Sequence, residues 1–586
     1  MMATEIKGIA ASEGYAIGRA VILREEAVPQ GITYVEAGEE AAELSRFDTA
    51  VAAARSELEE LHNRMITDGR EKEAEIFEAH LMLLEDEELI GAAQERIRGQ
   101  RYKAEAAMNE SGEEVADMLA SLDDEYLRER SADVRDVSRR VIRKLGHGTD
   151  ADSVPASTTA THSKEKSILF AFDLTPSDTA QLDPSVIGGF VTAVGGRTSH
   201  SAIIARSVGI PAIVGAGDEA LRIEDGQLVI VDGAAGLVLV EPEDEELARY
   251  QALQETAAGQ RALLEQFRGK PSVSADGHQV ELVANIGSVQ DARQAHEQGA
   301  EGVGLFRTEF LYMGRSDLPT EDEQFSAYKD AAEAFGQGAP IVIRTMDIGG
   351  DKELPSLQLE KEDNPFLGYR AIRICLDRPE LFKTQLRAVL RASAYGNLKI
   401  MFPMIATLGE WRQAKALLEQ AKQELRSENI AFNERIEAGI MIEIPAAAQM
   451  ADRFAREVDF FSIGTNDLVQ YTMAADRMNP KLGYLSDPLH PPVLRLIDQV
   501  IRAAHKENKW VGMCGEMAGT PIAIPILLGM GLDEFSMSAS AVLPARALLS
   551  RLDREKLTSL AEAVLDLDDA EAVRSYVEQH VSELAK

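Results

Sequence analysis

The stretch Gly439-Ile-Met-Ile-Glu443 sets the pattern for the longer part of this chain: a short apolar run that ends on a charged residue. A run of that length bounded by polar residues reads as a buried strand. Seven others resemble it: Val280–Asn285, Gly302–Phe306, Ile341–Arg344, Lys399–Phe402, Phe460–Ile463, Trp510–Met513 and Glu534–Met537. Most are separated by helical patterns. Eight alternating units over roughly 300 residues fit a (β/α)8 barrel, with a doubly wound open sheet as the structural rival. The placement of polar residues favours the barrel. Arg307-Thr-Glu309, Arg344-Thr-Met-Asp347, Glu443-Ile-Pro445, Asn466-Asp467 and Cys514-Gly-Glu516 all follow apolar runs, which puts them at the C-terminal mouth where barrel active sites are built.

Arg307, Arg344 and Arg477 converging on that mouth would bind an anion carrying more than one charge, since guanidinium matches carboxylate and phosphate in bidentate geometry. Glu443 and Asp467 would supply oxygen ligands for a hard cation, Mg²⁺ above all, completed by water and substrate oxygens. Any one of the five could be a structural ion pair, but five at strand ends point to a phosphorylated acid bound with a divalent metal. Cys514 has two readings. It is either a small buried hydrophobe or, as a thiol largely protonated at neutral pH, a proton donor to a carbanion or enolate.

The N-terminal region differs in pattern. Residues 1–25 read as strands and turns, 38–146 as a helical bundle, and strand signals return at Ile168–Phe172, Val191–Val194 and Leu228–Asp232. The expected organisation is an α/β domain of residues 1–25 and 150–240, a helical insert 26–149, a linker helix 241–270 and the barrel 271–586. Within the α/β domain, Gly195-Gly-Arg-Thr-Ser-His200 follows a strand and opens a helical pattern. Free amides there favour anions, so a nucleophilic imidazole in that turn suggests a phosphohistidine, against the plainer reading of a helix-capping loop.

At 586 residues and a net charge of −37, the chain is multidomain and unsuited to nucleic-acid or anionic-membrane surfaces, while a basic protein partner would suit it. Two cysteines give no disulfide framework and no apolar run reaches membrane length, so a cytoplasmic setting is expected.

At Gly195–His200, Leu305–Met313, Arg344–Pro355, Asn364–Arg370, Ile442–Ala446, Ser462–Asp467 and Gly512–Glu516 the sequence resembles enzyme I of the bacterial sugar phosphotransferase system. The resemblance runs through the helical insert at Ile76–Glu88 and Leu122–Leu127 and covers the chain essentially end to end. It implies that His200 is phosphorylated and that Arg206 steadies the phosphoryl group. Arg307, Arg344, Arg477 and Asn466 would bind phosphoenolpyruvate, Glu443 and Asp467 would hold Mg²⁺, and Cys514 would protonate the enolate. The insert would dock the phosphocarrier protein HPr, with Glu71, Ile76, Phe77, Leu83 and Glu88 as the candidate face. Lys72 departs from the acidic residue expected there. A homodimer through the barrel is a further expectation. The rivals are pyruvate phosphate dikinase or phosphoenolpyruvate synthase, which need a nucleotide-binding domain ahead of the histidine, and a non-catalytic phosphoenolpyruvate sensor; the 199 residues before His200 show no Gly-rich nucleotide loop.

Overall fold

A computed structural model describes residues 4–585 except 24–30, 68–70, 121–124, 147–165, 176–177, 179–181, 184, 197–198, 200, 203–204, 207–208, 314, 316, 350–353, 358, 361 and 478. The chain divides into two compact units, Met1–Gly259 and Gln260–Lys586.

The first unit holds an eight-stranded sheet in the order β1-β8-β7-β3-β4-β5-β6-β2. Its strands are β1 (Thr4–Lys7), β2 (Ile9–Ser12), β3 (Tyr15–Ile22), β4 (Ser167–Ala171), β5 (Ile187–Thr192), β6 (Ala212–Val214), β7 (Leu228–Asp232) and β8 (Leu237–Val240). β3, β4, β5 and β6 run parallel to their neighbours in that order, and the remaining pairs are antiparallel. Parallel neighbours need a crossover connection, and between β3 and β4 that crossover carries the helices. These are α1 (Glu40–Thr67), α2 (Glu71–Leu83), α3 (Ala92–Gln100), α4 (Ala104–Ala120) and α5 (Glu125–Leu145). They close over their own core of Phe47, Leu58, Phe77, Leu89, Ile97, Met108, Val134 and Val141. Gly112 lets α4 approach α5, because a Cβ there would fall 2.2 Å from Ser138 Oγ. Helix α6 (Asp244–Glu265) follows β8. Its buried Tyr250 packs with Ile230 and Leu239, and its hydroxyl donates to Asp232 at 3.0 Å.

The second unit contains a closed, all-parallel barrel of eight strands, so the open-sheet alternative is excluded. The strands are β9 (Glu281–Ile286), β10 (Val303–Arg307), β11 (Pro340–Arg344), β12 (Asn397–Phe402), β13 (Glu437–Ile442), β14 (Phe460–Ile463), β15 (Trp510–Met513) and β16 (Glu534–Met537). β16 returns to pair with β9 and completes the ring. Alternation along each strand separates the two faces. Leu282, Ala284, Ile341, Ile343, Ile400, Ile440, Phe461 and Val511 pack outward into the helical layer. Leu305, Val342, Met401, Met441, Phe460 and Cys514 form a separate cluster inside the barrel. Inward glycines make room for large neighbours: a Cβ on Gly439 would lie 2.7 Å from the Phe460 ring, and one on Gly512 would lie 2.5 Å from Glu534 Oε1. The mixed α/β, multidomain fold with a C-terminal barrel is thus observed as expected.

Candidate active site

A cavity of ≈ 560 Å³ opens at the C-terminal mouth of the barrel. Its lining brings together Arg307, Arg344, Glu443, Asn466, Asp467, Arg477 and Cys514, contributed by the ends of β10, β11, β13, β14 and β15 and the segments that follow them. Period-two alternation explains the convergence. A residue that ends a strand on the inward parity points across the mouth, whatever helix comes next.

The buried guanidinium of Arg344 pairs with Glu309 and, at 3.0 Å, with Asp347. Asp347 in turn receives Arg370 Nη2 at 2.9 Å, and Arg370 Nη1 lies 3.5 Å from Asp467. Arg477 reaches the same Asp467 oxygen at 3.8 Å. This alternating chain of charges fixes three guanidiniums around one space, which an isolated buried arginine could not tolerate. Burial opposes the charge on Arg344 and Arg370, but the surrounding carboxylates outweigh it and hold both pKa values above the ordinary range. Arg307, half-buried at the end of β10, has no carboxylate partner among the described residues and is available to an anion.

Arg370, Asp347 and Glu309 also line the cavity, beyond the residues to which the sequence pattern assigns a role. Asp347 and Glu309 follow apolar runs in the sequence, which marks their position but not their role. Arg370 lies well beyond β11, outside the strand-end pattern. The loop that carries it is tightly constrained: Ala371 sits at φ 51°, and a Cβ on Gly349 would lie 2.5 Å from Arg370 Cβ. Such sparsely populated backbone persists where the surroundings over-determine it. Tyr471 accepts from Arg370 at 3.3 Å and donates to the Phe366 carbonyl, tying the loop to the helix after β14.

Glu443 accepts from the Met404 amide and is almost wholly buried. Burial, with Asp467 and Asp347 close by, pushes its pKa up to about 8. Asp467 Oδ1 is buried and accepts no hydrogen bond, its two guanidinium neighbours standing at 3.5 and 3.8 Å. A hard divalent cation among these oxygens would relieve both conditions, and an all-oxygen donor set suits Mg²⁺. Among the described residues no group of three or more His, Cys, Asp or Glu could hold an ion by itself, so substrate oxygens and water would have to complete the shell.

The Cys514 thiol faces the same cavity and contacts the Ile463 carbonyl at 3.8 Å. Burial pushes its pKa up to about 11. Of the two sequence readings, the thiol is therefore both buried and firmly protonated at neutral pH. Cys375 is the other cysteine; it is buried in the helical layer and has no part in the cavity.

In the first unit, His200 lies outside the described residues. Around it, Gly195 takes φ 110°, and Ser199 Oγ lies 3.1 Å from Ser201 Oγ. Arg206 is exposed and donates to the Ala11 carbonyl at 2.9 Å. On the helical insert, Ile76 and Leu83 are half-buried and Glu88 is exposed, while the Glu71 side chain lies outside the described residues. Phe77 requires correction as a surface candidate. It is fully buried in the bundle core with its ring against His80, because its helical face turns inward while Glu78 faces out. No described helix is long and apolar enough to cross a membrane.

Known proteins match this sequence over nearly its whole length. Residues 261–554 match the PEP-binding domain of PEP-utilising enzymes, residues 7–130 their N-terminal domain and residues 163–236 their mobile domain. The chain is 53% identical over 580 residues to the phosphoenolpyruvate-protein phosphotransferase of Bacillus sp. (strain S), covering 98% of each chain. It is likewise 53% identical over 580 residues to that of Geobacillus stearothermophilus, again covering 98% of each. With the Bacillus subtilis (strain 168) protein the identity is 52% over 575 residues, 98% of this chain and 99% of the other.

Proposed function

This chain belongs to the phosphoenolpyruvate–protein phosphotransferases, and from that premise we propose that it moves the phosphoryl group of phosphoenolpyruvate onto His200 and then onto a histidine of HPr, releasing pyruvate as the first step of sugar uptake. Supporting the reading above all is the cavity in which four guanidiniums, the buried carboxylates of Glu443 and Asp467 and a protonated thiol meet. Phosphoenolpyruvate carries its charge on a carboxylate and a phosphate. Arg307, Arg344, Arg370 and Arg477 match both, and Asn466 adds a neutral contact.

A neutral ring nitrogen of His200 attacks phosphorus in line; the P–N bond forms as the P–O bond to the enol oxygen breaks. The arginines offset charge on the oxygens during transfer. Mg²⁺, held by Glu443 and Asp467, would supply further charge stabilisation when bound. The enolate takes a proton at C3 from the Cys514 thiol and becomes pyruvate. Arg206 steadies the phosphoryl group on His200.

His200 and the cavity belong to different compact units, so the cycle requires them to come together and part again. The match of residues 163–236 to a mobile domain suits that requirement. HPr would dock on the helical insert around Ile76, Leu83 and Glu88. A homodimer through the barrel unit, readable by sedimentation, completes the reading.

Incubation with Mg²⁺ and phosphoenolpyruvate, followed by intact-mass measurement, should show one acid-labile phosphoryl adduct that His200→Ala abolishes. An unmodified native chain, or an adduct that survives in the variant, would overturn the assignment.

A further inference from the structure

Between its two ends the barrel interior is closed by Leu305, Val342, Met401, Met441 and Phe460. On one side that apolar belt gives way to polar groups. Ser462, Gly512 and Glu534 stand in one register row across β14, β15 and β16. Cys514 follows Gly512 by two residues and so faces inward one layer nearer the mouth. Gly512 has no side chain, and Glu534 fills the space it leaves, its Oε1 only 2.5 Å from where a Cβ would be. Glu534 is 1% exposed, and neither of its carboxyl oxygens has a hydrogen-bond partner. Ser462 Oγ is orphaned in the same layer. It lies close enough to the thiol to favour the thiolate, though without a hydrogen bond of standard geometry.

Buried polar groups left unpaired are costly, and two in one layer behind a thiol call for a role. At the other end the row opens to water. Glu534 pairs in register with Glu281 of β9, which is exposed. The charged groups acting on Glu534 are Glu281 from β9, Lys399 from β12 and its neighbour Asp533. Burial, then Glu281, pushes the Glu534 pKa up to about 8, which leaves it protonated at neutral pH.

We propose that Glu534 and Ser462 form a proton relay that restores the Cys514 thiol after each protonation of the enolate, fed from solvent at the Glu281 end of the barrel. The inference rests on the reading of Cys514 as the acid. Neither the Ser462 nor the Glu534 side chain is pinned by a hydrogen bond. Once the thiol proton has formed the C3–H bond of pyruvate, the Ser462 hydroxyl therefore turns to the thiolate and gives up its proton. The Glu534 carboxyl, likewise unpinned, turns to Ser462 and gives it a proton, and the Glu534 carboxylate recovers one from solvent water, leaving hydroxide to the bulk buffer. Glu534 and Ser462 act through Cys514 and are positioning residues, not groups that touch substrate.

The test uses the full-length chain with Mg²⁺, phosphoenolpyruvate and pyruvate labelled with ¹³C in its carbon skeleton and deuterium on its methyl group. Reversal moves the carbon label into phosphoenolpyruvate and places a deuteron on Cys514. The relay determines whether that deuteron escapes to water before it is returned to carbon. Relative to the native chain, Glu534→Gln and Ser462→Ala should lower the ratio of deuterium loss to carbon exchange by roughly tenfold, and Glu534→Asp should recover part of it. An unchanged ratio in both Glu534→Gln and Ser462→Ala overturns the relay whatever the absolute rates, because a merely structural defect slows both labels together. If instead Cys514→Ala exchanges both labels at native rates, the reading of Cys514 as the acid falls first, and the relay falls with it.

Discussion

At the scale of single residues, burial decides the chemistry. A carboxyl at position 443 or 534 would ionise near pH 4.5 in water, yet each is shifted up to about 8, chiefly because it is desolvated. The consequence for stability has a definite sign. The folded chain holds the Glu534 proton more tightly than the unfolded chain, so this group's contribution is fully present below about pH 4.5. It is lost as the pH rises through about 8. Glu534→Gln removes that dependence without changing shape. In urea titrations the variant should gain on the native chain between about pH 5 and about pH 8, by on the order of a few kcal/mol. A difference that stays constant across that range would mean that Glu534 is ionised in the native fold. The same physics keeps Cys514 a thiol, with a pKa near 11 that suits an acid and not a nucleophile.

At the scale of elements, glycine placement shapes the barrel interior as much as the large side chains do. Gly439 admits Phe460, whose ring stacks on Trp510 at 4.3 Å, and Gly512 admits Glu534. Gly512→Ala would force a methyl into a carboxyl backed by Glu534 Cδ at 3.2 Å and Cβ at 3.3 Å. The expected cost is about 1–3 kcal/mol from overpacking. Because the clash is with one side chain, the cost should largely vanish in a Glu534→Ala background. A double-mutant cycle by chemical denaturation reads that coupling directly. Simple additivity would place the strain elsewhere in β15.

At the scale of the whole molecule, each unit carries hydrophobic clusters of its own: the helical bundle and the sheet faces in the first, the barrel and its helical layer in the second. Such units unfold as separate cooperative transitions. The residues that would bind phosphoenolpyruvate all lie in the second unit. Calorimetry on His200→Ala, which cannot consume the ligand, should therefore show two transitions with only one raised by Mg²⁺ and phosphoenolpyruvate. At a ligand concentration of a hundred times Kd the gain would be about 2.7 kcal/mol. Equal movement of both transitions would show that the first unit shares in binding.

The sequence by itself determined the eight barrel strands and the parity of the residues that end them, because a two-residue repeat is a local property of the chain. Arg307, Arg344, Glu443 and Cys514 were legible for that reason. Arg370 was not, since its place depends on a strained loop packed against Gly349 and Tyr471, contacts that no local period encodes. The burial of Phe77 is not legible there either, because the phase of an amphipathic helix does not say which side its neighbours cover. Only the tertiary structure set Glu534 behind Cys514 and pushed both groups upward in pKa. Desolvation is produced by everything that surrounds a side chain and is absent from the order of residues along it.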